Sequence, residues 1–337
     1  MLSFKEAYLL FLGPDPASGI SGGNIFNQRF LKSLQEEGIT TVGLDDWPEI
    51  IPKNLKHIVV DSLYISSAAQ MQEIKTLKKR RPYRWFLLHH LHSMYPRKDI
   101  DSDEYFYKHE KPLLQHFNRF IVTSPYSKSY LENRGFQKSK IEVLKPYPFS
   151  MEPFSSPENK PPNVLILSNL ISRKGIRPFL NRLTKIKAKP KFRLVIHGRK
   201  DIEPDYAEQC ISLIQKTPGV RYEGPIPPMG TSSLWSQYEL LLSPAYLETF
   251  GMSLHEAKYA GIVRMAVNGG YASNHIQKGY PDLLAEDPEE LAENFVNLLS
   301  EPSRLSKYRK EAIREQKTLP DPDTAWNEQI REFVGKL

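Results

Sequence analysis

The chain has 337 residues, of which 40% are hydrophobic and 25% are charged, and its formal net charge is +7. This length favours two domains of roughly 150 residues each, and the balanced composition excludes a disordered, fibrous or membrane-embedded protein. Because Cys210 is the only cysteine and Lys5 and Glu6 interrupt any signal-peptide core, we expect a cytoplasmic protein without disulfides.

The first half of the chain alternates short apolar runs with longer amphipathic segments. The runs predict strands at residues 7–12, 41–44, 57–60, 84–88, 119–123 and 141–144. Residues 26–37 place Phe26, Phe30 and Leu34 on one helical face, and Gly38 follows where a helix would end. Residues 1–148 are therefore predicted to form a doubly wound, Rossmann-like domain.

The second half repeats this alternation after a proline-rich segment at residues 149–162, which is typical of an interdomain linker. Strands are predicted at 163–167, 192–197, 220–222 and 239–243, and helices at 175–186, 206–215, 231–236 and 253–259. Residues 163–318 are thus predicted to form a second Rossmann-like domain. The predicted fold class is α/β, with two doubly wound domains facing a cleft, and functional residues should follow the strands.

The strongest signal is a segment that leaves an apolar strand at Ser243 and enters a helix. Glu248 and Glu256 are separated by seven residues and flank an aromatic-glycine turn at Phe250 and Gly251. Glu248 would precede the helix and Glu256 would lie about two turns inside it. The first free amides of the helix would face an anion. A surface helix with two unremarkable glutamates is the alternative, and the preceding strand and the turn argue against it.

This segment, with Gly269 and Gly270 after it, resembles the Glu-x7-Glu signature of glycosyltransferase family 4, which has the GT-B fold. The resemblance implies a retaining glycosyltransferase that uses a nucleotide sugar. It implies that Glu248 binds donor-sugar hydroxyls, that Glu256 binds the ribose, and that the intervening backbone contacts the diphosphate or sugar. The implied donor-binding residues of this segment are Glu248, Thr249, Phe250, Gly251, Met252, Ser253 and Glu256.

A basic pair, Arg173 and Lys174, follows the first strand of the second domain and precedes Gly175 and a helix. Adjacent Arg and Lys residues are common on surfaces, and only their position after this strand favours a function. By the family resemblance they neutralise the diphosphate as the sugar leaves, a task that Mg²⁺ performs in other transferases. The resemblance therefore implies that Arg173, Lys174 and Glu248 act in catalysis, and that neither metal nor cofactor is needed.

A glycine-rich segment, residues 19–24, lies between the first strand and the first helix. Gly22, Gly23 and Asn24 would let backbone amides approach a phosphate. The segment lacks the Gly-x-Gly-x-x-Gly dinucleotide fingerprint and resembles the GT-B loop that closes on the donor diphosphate. An ordinary glycine-rich turn is the alternative. Gly198 and Arg199 resemble the family's turn beside the nucleotide and complete the predicted donor-binding residues.

Three histidines, His89, His90 and His92, follow the predicted strand 84–88. Members of the family often carry a histidine at this strand end that donates a hydrogen bond near the transferred sugar, and by this resemblance His89 aligns best as that catalytic residue, with His90 close behind. A structural or surface role is the alternative. Adjacent strand residues point in opposite directions, so a three-histidine zinc site is disfavoured. Two Asp-x-Asp patterns, 101–103 and 321–323, follow no strand and do not change the prediction of no metal.

A basic cluster favours an anionic partner, either a phosphorylated substrate or the anionic lipids of the inner membrane face. A solvated helix end is the alternative, and no nucleic-acid-binding motif accompanies the cluster. Its members are Lys75, Lys78, Lys79, Arg80, Arg81 and Arg84.

The predicted function is transfer of a sugar from a UDP- or GDP-sugar to a hydroxyl of a glycan or lipid-linked saccharide, as in polysaccharide biosynthesis. The resemblance is specific across residues 164–275. The alternatives are a non-catalytic GT-B subunit that binds a partner or glycan, and another GT-B enzyme such as an epimerase or a phosphorylase. Residues 319–337 resemble the family's final helix, which packs back on the N-terminal domain.

Overall fold

The computed structural model describes residues 8–14, 21–44, 55–64, 83–96, 101–149, 161–187, 189–226 and 234–337. The chain divides into two compact units, of which the first comprises Met1–Pro146 and Thr324–Leu337 and the second Tyr147–Asp323. Each contains a parallel sheet with six strands among the described residues. The predicted α/β class with two doubly wound sheets is confirmed.

Some predictions fall outside the described residues. These are Lys75, Lys78, Lys79, Arg80 and Arg81 of the basic cluster, residues 150–160 of the predicted linker, residues 19–20 of the glycine-rich segment and residues 231–233 of a predicted helix.

The first sheet has the strand order β2-β1-β3-β4-β5-β6. Most of its strand positions are apolar and fully buried, as expected for a parallel sheet covered on both faces. The strands are β1 (Leu9–Leu12), β2 (Thr41–Leu44), β3 (His57–Asp61), β4 (Tyr83–Leu88), β5 (Arg119–Val122) and β6 (Ile141–Val143).

Three of the described helices of this unit begin where a side chain, that of Ser21, Asp101 or Ser124, caps free amides. Helix α1 (Gly22–Glu36) starts four residues before the predicted position, because the hydroxyl of Ser21 accepts a hydrogen bond from the amide of Asn24 at 3.1 Å. Helix α2 (Ser102–Tyr105) is capped in the same way by Asp101, so one predicted Asp-x-Asp pattern is a helix cap. A π-helical turn (Phe106–Glu110), α3 (Lys111–Leu114) and α4 (Pro125–Glu132) follow.

The last helix, α10 (Pro322–Val334), contributes to the core of the first unit. Trp326 is 1% exposed, packs edge-on against Phe26, and donates a hydrogen bond from Nε1 to Ser33 at 2.8 Å. Gln329 exchanges two hydrogen bonds with the backbone of Lys145, at 2.7 and 3.1 Å.

The second sheet has the order β12-β11-β10-β7-β8-β9. Four of its strands match the predicted ones within two residues at each end, whereas the strands Val263–Val267 and Leu284–Ala285 and the helices Pro288–Leu299 and Pro302–Gln316 were not predicted from the sequence. Its strands are β7 (Asn163–Leu167), β8 (Arg193–His197), β9 (Val220–Gly224), β10 (Leu240–Ser243), β11 (Val263–Val267) and β12 (Leu284–Ala285). Its helices are α5 (Ile176–Lys185), α6 (Pro204–Gln215), α7 (Met252–Ala260), α8 (Pro288–Leu299) and α9 (Pro302–Gln316).

Candidate active site

The strand order of the second sheet reverses between β10 and β7, which pair in parallel through Leu240 and Val164. Ligands of open α/β sheets bind beside such a reversal, at the carboxyl ends of the strands. The loop after β7 carries Arg173 and Lys174 in a short 3₁₀ helix, Ser172–Lys174. The loop after β10 carries Glu248. The topology therefore brings the two strongest sequence signals to one edge of the sheet.

Lys174 and Glu248 form an ion pair at this edge. Lys174 Nζ lies 2.6 Å from Glu248 Oε1, and the two side chains are only 17% and 13% exposed. The hydroxyl of Ser243, at the end of β10, lies 3.5 Å from the same carboxylate oxygen. Burial lowers the pKa of Lys174, and the Glu248 carboxylate opposes this effect. The pair thus places a cation and an acceptor for hydroxyl groups side by side.

The two loops also touch through their backbones. The amide of Tyr246 donates a hydrogen bond to the carbonyl of Arg173 at 3.3 Å. Gly175 has a φ of 63°, and a Cβ atom there would lie 2.1 Å from the carbonyl oxygen of Pro244. Only glycine permits this approach, so Gly175 fixes the basic pair against the loop that bears Glu248.

The glycine pair that follows the Glu-x7-Glu segment, Gly269 and Gly270, contacts the backbone of Glu248. Glu248 donates its amide to the carbonyl of Gly269 at 3.2 Å and accepts the amide of Tyr271 at 2.7 Å. Gly270 has a φ of 65°, and a Cβ atom there would lie 2.4 Å from the Glu248 carbonyl oxygen. The glycine pair therefore serves as the support of the Glu248 loop.

Helix α7 begins at Met252, directly after this loop in the chain. Gly251, at φ 85°, is its N-cap and has no side chain to offer to the first amides of the helix, which include those of Met252 and Ser253. These residues and Thr249 are half-buried, and Phe250 is buried against Tyr271 with ring centroids 5.8 Å apart. The helix start thus offers positive potential beside Lys174 and Glu248.

Glu256 lies in the second turn of α7 and is half-buried. Burial raises its pKa to about 7. The structure shows no hydrogen bond from its carboxyl group to any described residue, so it is not joined to the Lys174 and Glu248 pair. Its carboxyl group thus lacks the compensation that a protein partner would provide.

Gly198 and Arg199 support the loop after β7. The amide of Arg199 donates to Asn169 Oδ1 at 2.9 Å, and its carbonyl accepts from Leu170 at 2.8 Å. The guanidinium group is engaged with Asp201, at 2.6 and 3.0 Å. The backbone of Arg199 therefore stabilises the loop that bears Arg173 and Lys174. The guanidinium charge of Arg199 is paired with the exposed carboxylate of Asp201.

A buried network that the sequence analysis missed holds the Phe250 turn. His275 Nε2 lies 2.6 Å from the carbonyl oxygen of Phe250 and donates to it. Arg264, which is 0% exposed, donates to the carbonyl of His275 at 2.6 Å and pairs with Glu315. Lys258 of α7 lies 3.0 Å from Glu315. An arginine inside the apolar strand β11 was the available sequence signal.

The first unit places His89 at the end of β4, where it is 8% exposed. Its Nε2 lies 3.0 Å from Asn27 Oδ1 and 3.6 Å from Asp61 Oδ1. Asn27 and Asp61 were not predicted, although an aspartate directly after the apolar run of β3 was a usable signal. Gly22, Gly23 and Asn24 form the first turn of α1, and a Cβ atom at Gly23 would lie 2.6 Å from Leu63 Cδ1 and 3.2 Å from His89 Cδ2.

Metal-binding clusters and membrane-spanning helices are both absent from the described part of the chain. The described residues contain no group of three His, Cys, Asp or Glu side chains that could hold a metal ion. No helix among them has the length and apolar character that crossing a membrane requires.

Comparisons with known proteins agree with this geometry. Residues 161–301 match the family model described as Glycosyl transferases group 1. No curated protein matches the chain significantly in sequence.

Solved structures share the fold over nearly the whole chain. Sucrose-phosphate synthase from Thermosynechococcus elongatus is 18% identical with a TM-score of 0.76, and the match covers 98% of this chain and 99% of that chain. Anabaena HepE in complex with UDP-glucose is 16% identical with a TM-score of 0.70 and the same coverages. A glycosyltransferase from Rickettsia africae ESF-5 is 15% identical with a TM-score of 0.64, covering 98% and 97%.

The residues that match the family model lie within the unit that bears the Lys174 and Glu248 pair, and the matched structures share the fold of both units. The match of residues 161–301 to the Glycosyl transferases group 1 model identifies the chain as a glycosyltransferase, and its two-sheet architecture is the GT-B fold.

Proposed function

We propose that this glycosyltransferase transfers a sugar from a UDP- or GDP-sugar to a hydroxyl of a glycan or lipid-linked saccharide, with retention of configuration at the anomeric carbon. The observation that carries the proposal is the ion pair between Lys174 and Glu248, 2.6 Å apart at the strand reversal of the second sheet.

The diphosphate of the donor binds at the N-terminus of α7. A diphosphate is a dianion or more at neutral pH, and Lys174, Arg173 and the first amides of α7 provide positive potential at one edge. Negative charge grows on the diphosphate as the sugar leaves, so the same groups stabilise the transition state more than the ground state. This arrangement performs the task of a divalent metal, and we propose that the enzyme needs none.

The donor sugar and the ribose are recognised by the two glutamates. A carboxylate accepts hydrogen bonds only, which suits the hydroxyls of a sugar. Glu248 contacts Lys174 through Oε1 and presents its second oxygen, Oε2, to the sugar. Glu256 receives the ribose hydroxyls, whose hydrogen bonds would compensate the carboxylate that the protein leaves without a partner.

The transfer step needs no nucleophile from the protein. The acceptor hydroxyl oxygen forms a bond to the anomeric carbon on the face from which the phosphate oxygen departs, and its proton passes to that phosphate oxygen. Configuration is therefore retained. HepE, which shares the fold, was crystallised with UDP-glucose, and this favours uridine diphosphate sugars as the first donors to test.

We further propose that the enzyme works in the cytoplasm and contacts the inner membrane face peripherally when its acceptor is lipid-linked. The cluster around residues 75–84 supplies the basic charge for this contact. Flotation with liposomes tests it, and equal binding to neutral and anionic vesicles, or none to either, would contradict it.

The experiment that tests the donor assignment is thermal unfolding with UDP-glucose, GDP-mannose, UDP and GDP in turn. A ligand at one hundred times its Kd stabilises the folded state by about 2.7 kcal/mol, so a true donor raises the melting temperature measurably. Lys174→Gln and Glu248→Gln should abolish the shift, whereas the matched surface controls Lys191→Gln and Glu208→Gln should retain it. An unshifted melting temperature of the wild type with every nucleotide would refute the assignment.

A further inference from the structure

Three polar side chains meet at the carboxyl edge of the first sheet. Asp61 ends β3, His89 follows β4, and Asn27 extends from α1 toward both. They are 0%, 8% and 4% exposed, respectively. Polar groups buried to this extent require hydrogen-bond partners, so their pattern of donors and acceptors is set by one another.

Asp61 is surrounded by donors. The amide of Leu63 donates to Oδ1 at 2.9 Å, and the hydroxyl of Ser62 lies 3.4 Å from the same oxygen. Asn27 donates its side-chain amide to Oδ2. Burial raises the pKa of Asp61, while the nearby His89 and these donors oppose the rise. All the hydrogen bonds that the described residues make with the carboxyl group of Asp61 are donated to it, at Oδ1 by Ser62 and Leu63 and at Oδ2 by Asn27, so Asp61 acts as an acceptor toward Asn27.

The carboxylate decides the orientation of Asn27 and through it the tautomer of His89. Because Asp61 only accepts, Asn27 must turn its NH₂ group to Asp61 and its carbonyl oxygen to His89. That oxygen only accepts, so His89 Nε2, 3.0 Å away, must carry a proton. Burial lowers the pKa of His89, so the ring is neutral. A neutral ring protonated at Nε2 has an unprotonated Nδ1.

We infer that Asp61 and Asn27 are positioning residues that hold His89 in the tautomer with a bare Nδ1, which accepts a hydrogen bond from a substrate hydroxyl. The described part of the chain offers no hydrogen bond to Nδ1. The family resemblance implied a histidine that donates a hydrogen bond near the transferred sugar. The relay, by which we mean the hydrogen bonds from Asp61 through Asn27 to His89, makes Nδ1 of His89 an acceptor instead. The substrate hydroxyl would donate its hydrogen bond to Nδ1. This contact with a substrate depends on the proposed function, whereas the tautomer of His89 does not.

The relay can be inverted by one isosteric change. In Asp61→Asn, the new NH₂ group faces Asn27, which must present its carbonyl oxygen to residue 61 and its NH₂ group to His89. His89 Nε2 then accepts, and the proton moves to Nδ1. The swapped double variant Asn27→Asp with Asp61→Asn again places an acceptor beside Nε2. It should therefore restore the original tautomer with the same set of side chains.

The test is NMR of the ring nitrogens in the full-length protein labelled with ¹⁵N-histidine, with His89 assigned by its loss in His89→Asn. The wild type and the double variant should show Nε2 protonated, and Asp61→Asn should show Nδ1 protonated. A wild-type proton on Nδ1, or the same tautomer in all three proteins, would overturn the inference. Melting curves identify any variant that fails to fold, and the wild-type tautomer alone still decides the question.

Transfer assays form a separate arm. Loss of one correctly oriented hydrogen bond costs about 1.4 kcal/mol, so kcat of Asp61→Asn should fall about tenfold and that of the double variant should recover. Equal kcat in wild type and Asp61→Asn overturns the substrate contact. Absence of transfer by the wild type refutes the proposed function, and the NMR result then still decides the tautomer.

Discussion

Lys174 Nζ lies 2.6 Å from Glu248 Oε1, although 74 positions separate the two residues in the chain. The parallel pairing of β7 with β10 brings the two loops together, and the close approach of Gly175 to Pro244 holds them at this distance. The same two side chains are the ones that the proposed function assigns to the diphosphate and the sugar. Binding and stability are therefore linked at this pair.

Removal of one member of the pair should destabilise the protein. Lys174→Met leaves a largely buried carboxylate without its counter-charge, and we expect a loss of about 1–3 kcal/mol in the free energy of unfolding. Glu248→Gln should cost a similar amount, and the double variant less than the sum. Urea denaturation of the four proteins measures this coupling, and strictly additive losses would show that the pair contributes nothing.

Glu256→Gln should stabilise the free enzyme in a pH-dependent way. The pKa of Glu256 is about 7 in the folded state against an ordinary value of 4.5, so the folded state holds a proton that the unfolded chain releases. The free energy of unfolding therefore falls as pH rises from 4.5 to about 7, and stays lower above pH 7. The glutamine variant lacks this penalty.

Melting temperatures at pH 5 and pH 8 check the Glu256 prediction. The variant should melt well above the wild type at pH 8 and close to it at pH 5. Glu208→Gln, an exposed change on α6, serves as the control. A pH-independent difference would show that the carboxyl group titrates normally.

His275→Phe should weaken donor binding through the Phe250 turn. The change leaves the Phe250 carbonyl without its hydrogen bond from Nε2, at a cost of about 1–3 kcal/mol in stability. Because the turn also presents the first amides of α7, the KM for the donor should rise. His275→Gln retains a donor at a similar distance from the backbone and should behave more like the wild type. Equal effects of both variants would argue against the hydrogen bond.

Trp326→Ala should destabilise the first unit by about 3–5 kcal/mol, since the ring is 1% exposed and packs on Phe26. Trp326→Phe should cost about 1 kcal/mol, because it removes mainly the hydrogen bond to Ser33. Calorimetry should show the first unit unfolding at a lower temperature. An unchanged transition would mean that α10 does not stabilise this unit.

Excess EDTA should leave the transfer rate unchanged, since we propose that Lys174, Arg173 and the start of α7 neutralise the diphosphate. A steady-state assay with and without the chelator measures this. Loss of activity that Mn²⁺ or Mg²⁺ restores would replace this part of the mechanism with metal catalysis.

Sequence patterns predicted the strands well where they are continuous apolar runs bounded by polar or turn residues, as in β3 and β7. They failed for β11, whose run is interrupted by Arg264, because the buried guanidinium is compensated by Glu315 and by backbone carbonyls from elsewhere in the chain. A local hydrophobic pattern cannot show that a buried charge has a partner elsewhere in the chain.

The amino-acid sequence by itself determined the α/β class, the positions of Arg173, Lys174, Glu248 and Glu256 after strands or within a helix, and the Glu-x7-Glu resemblance. These are local properties of spacing and hydrophobic period. Only the tertiary structure decided that Lys174 pairs with Glu248, that Gly270 supports Glu248, and that Asn27 contacts both Asp61 and His89. Each of these contacts joins different strands or loops, and hydrogen-bond direction depends on atoms that only folding brings within about 3 Å.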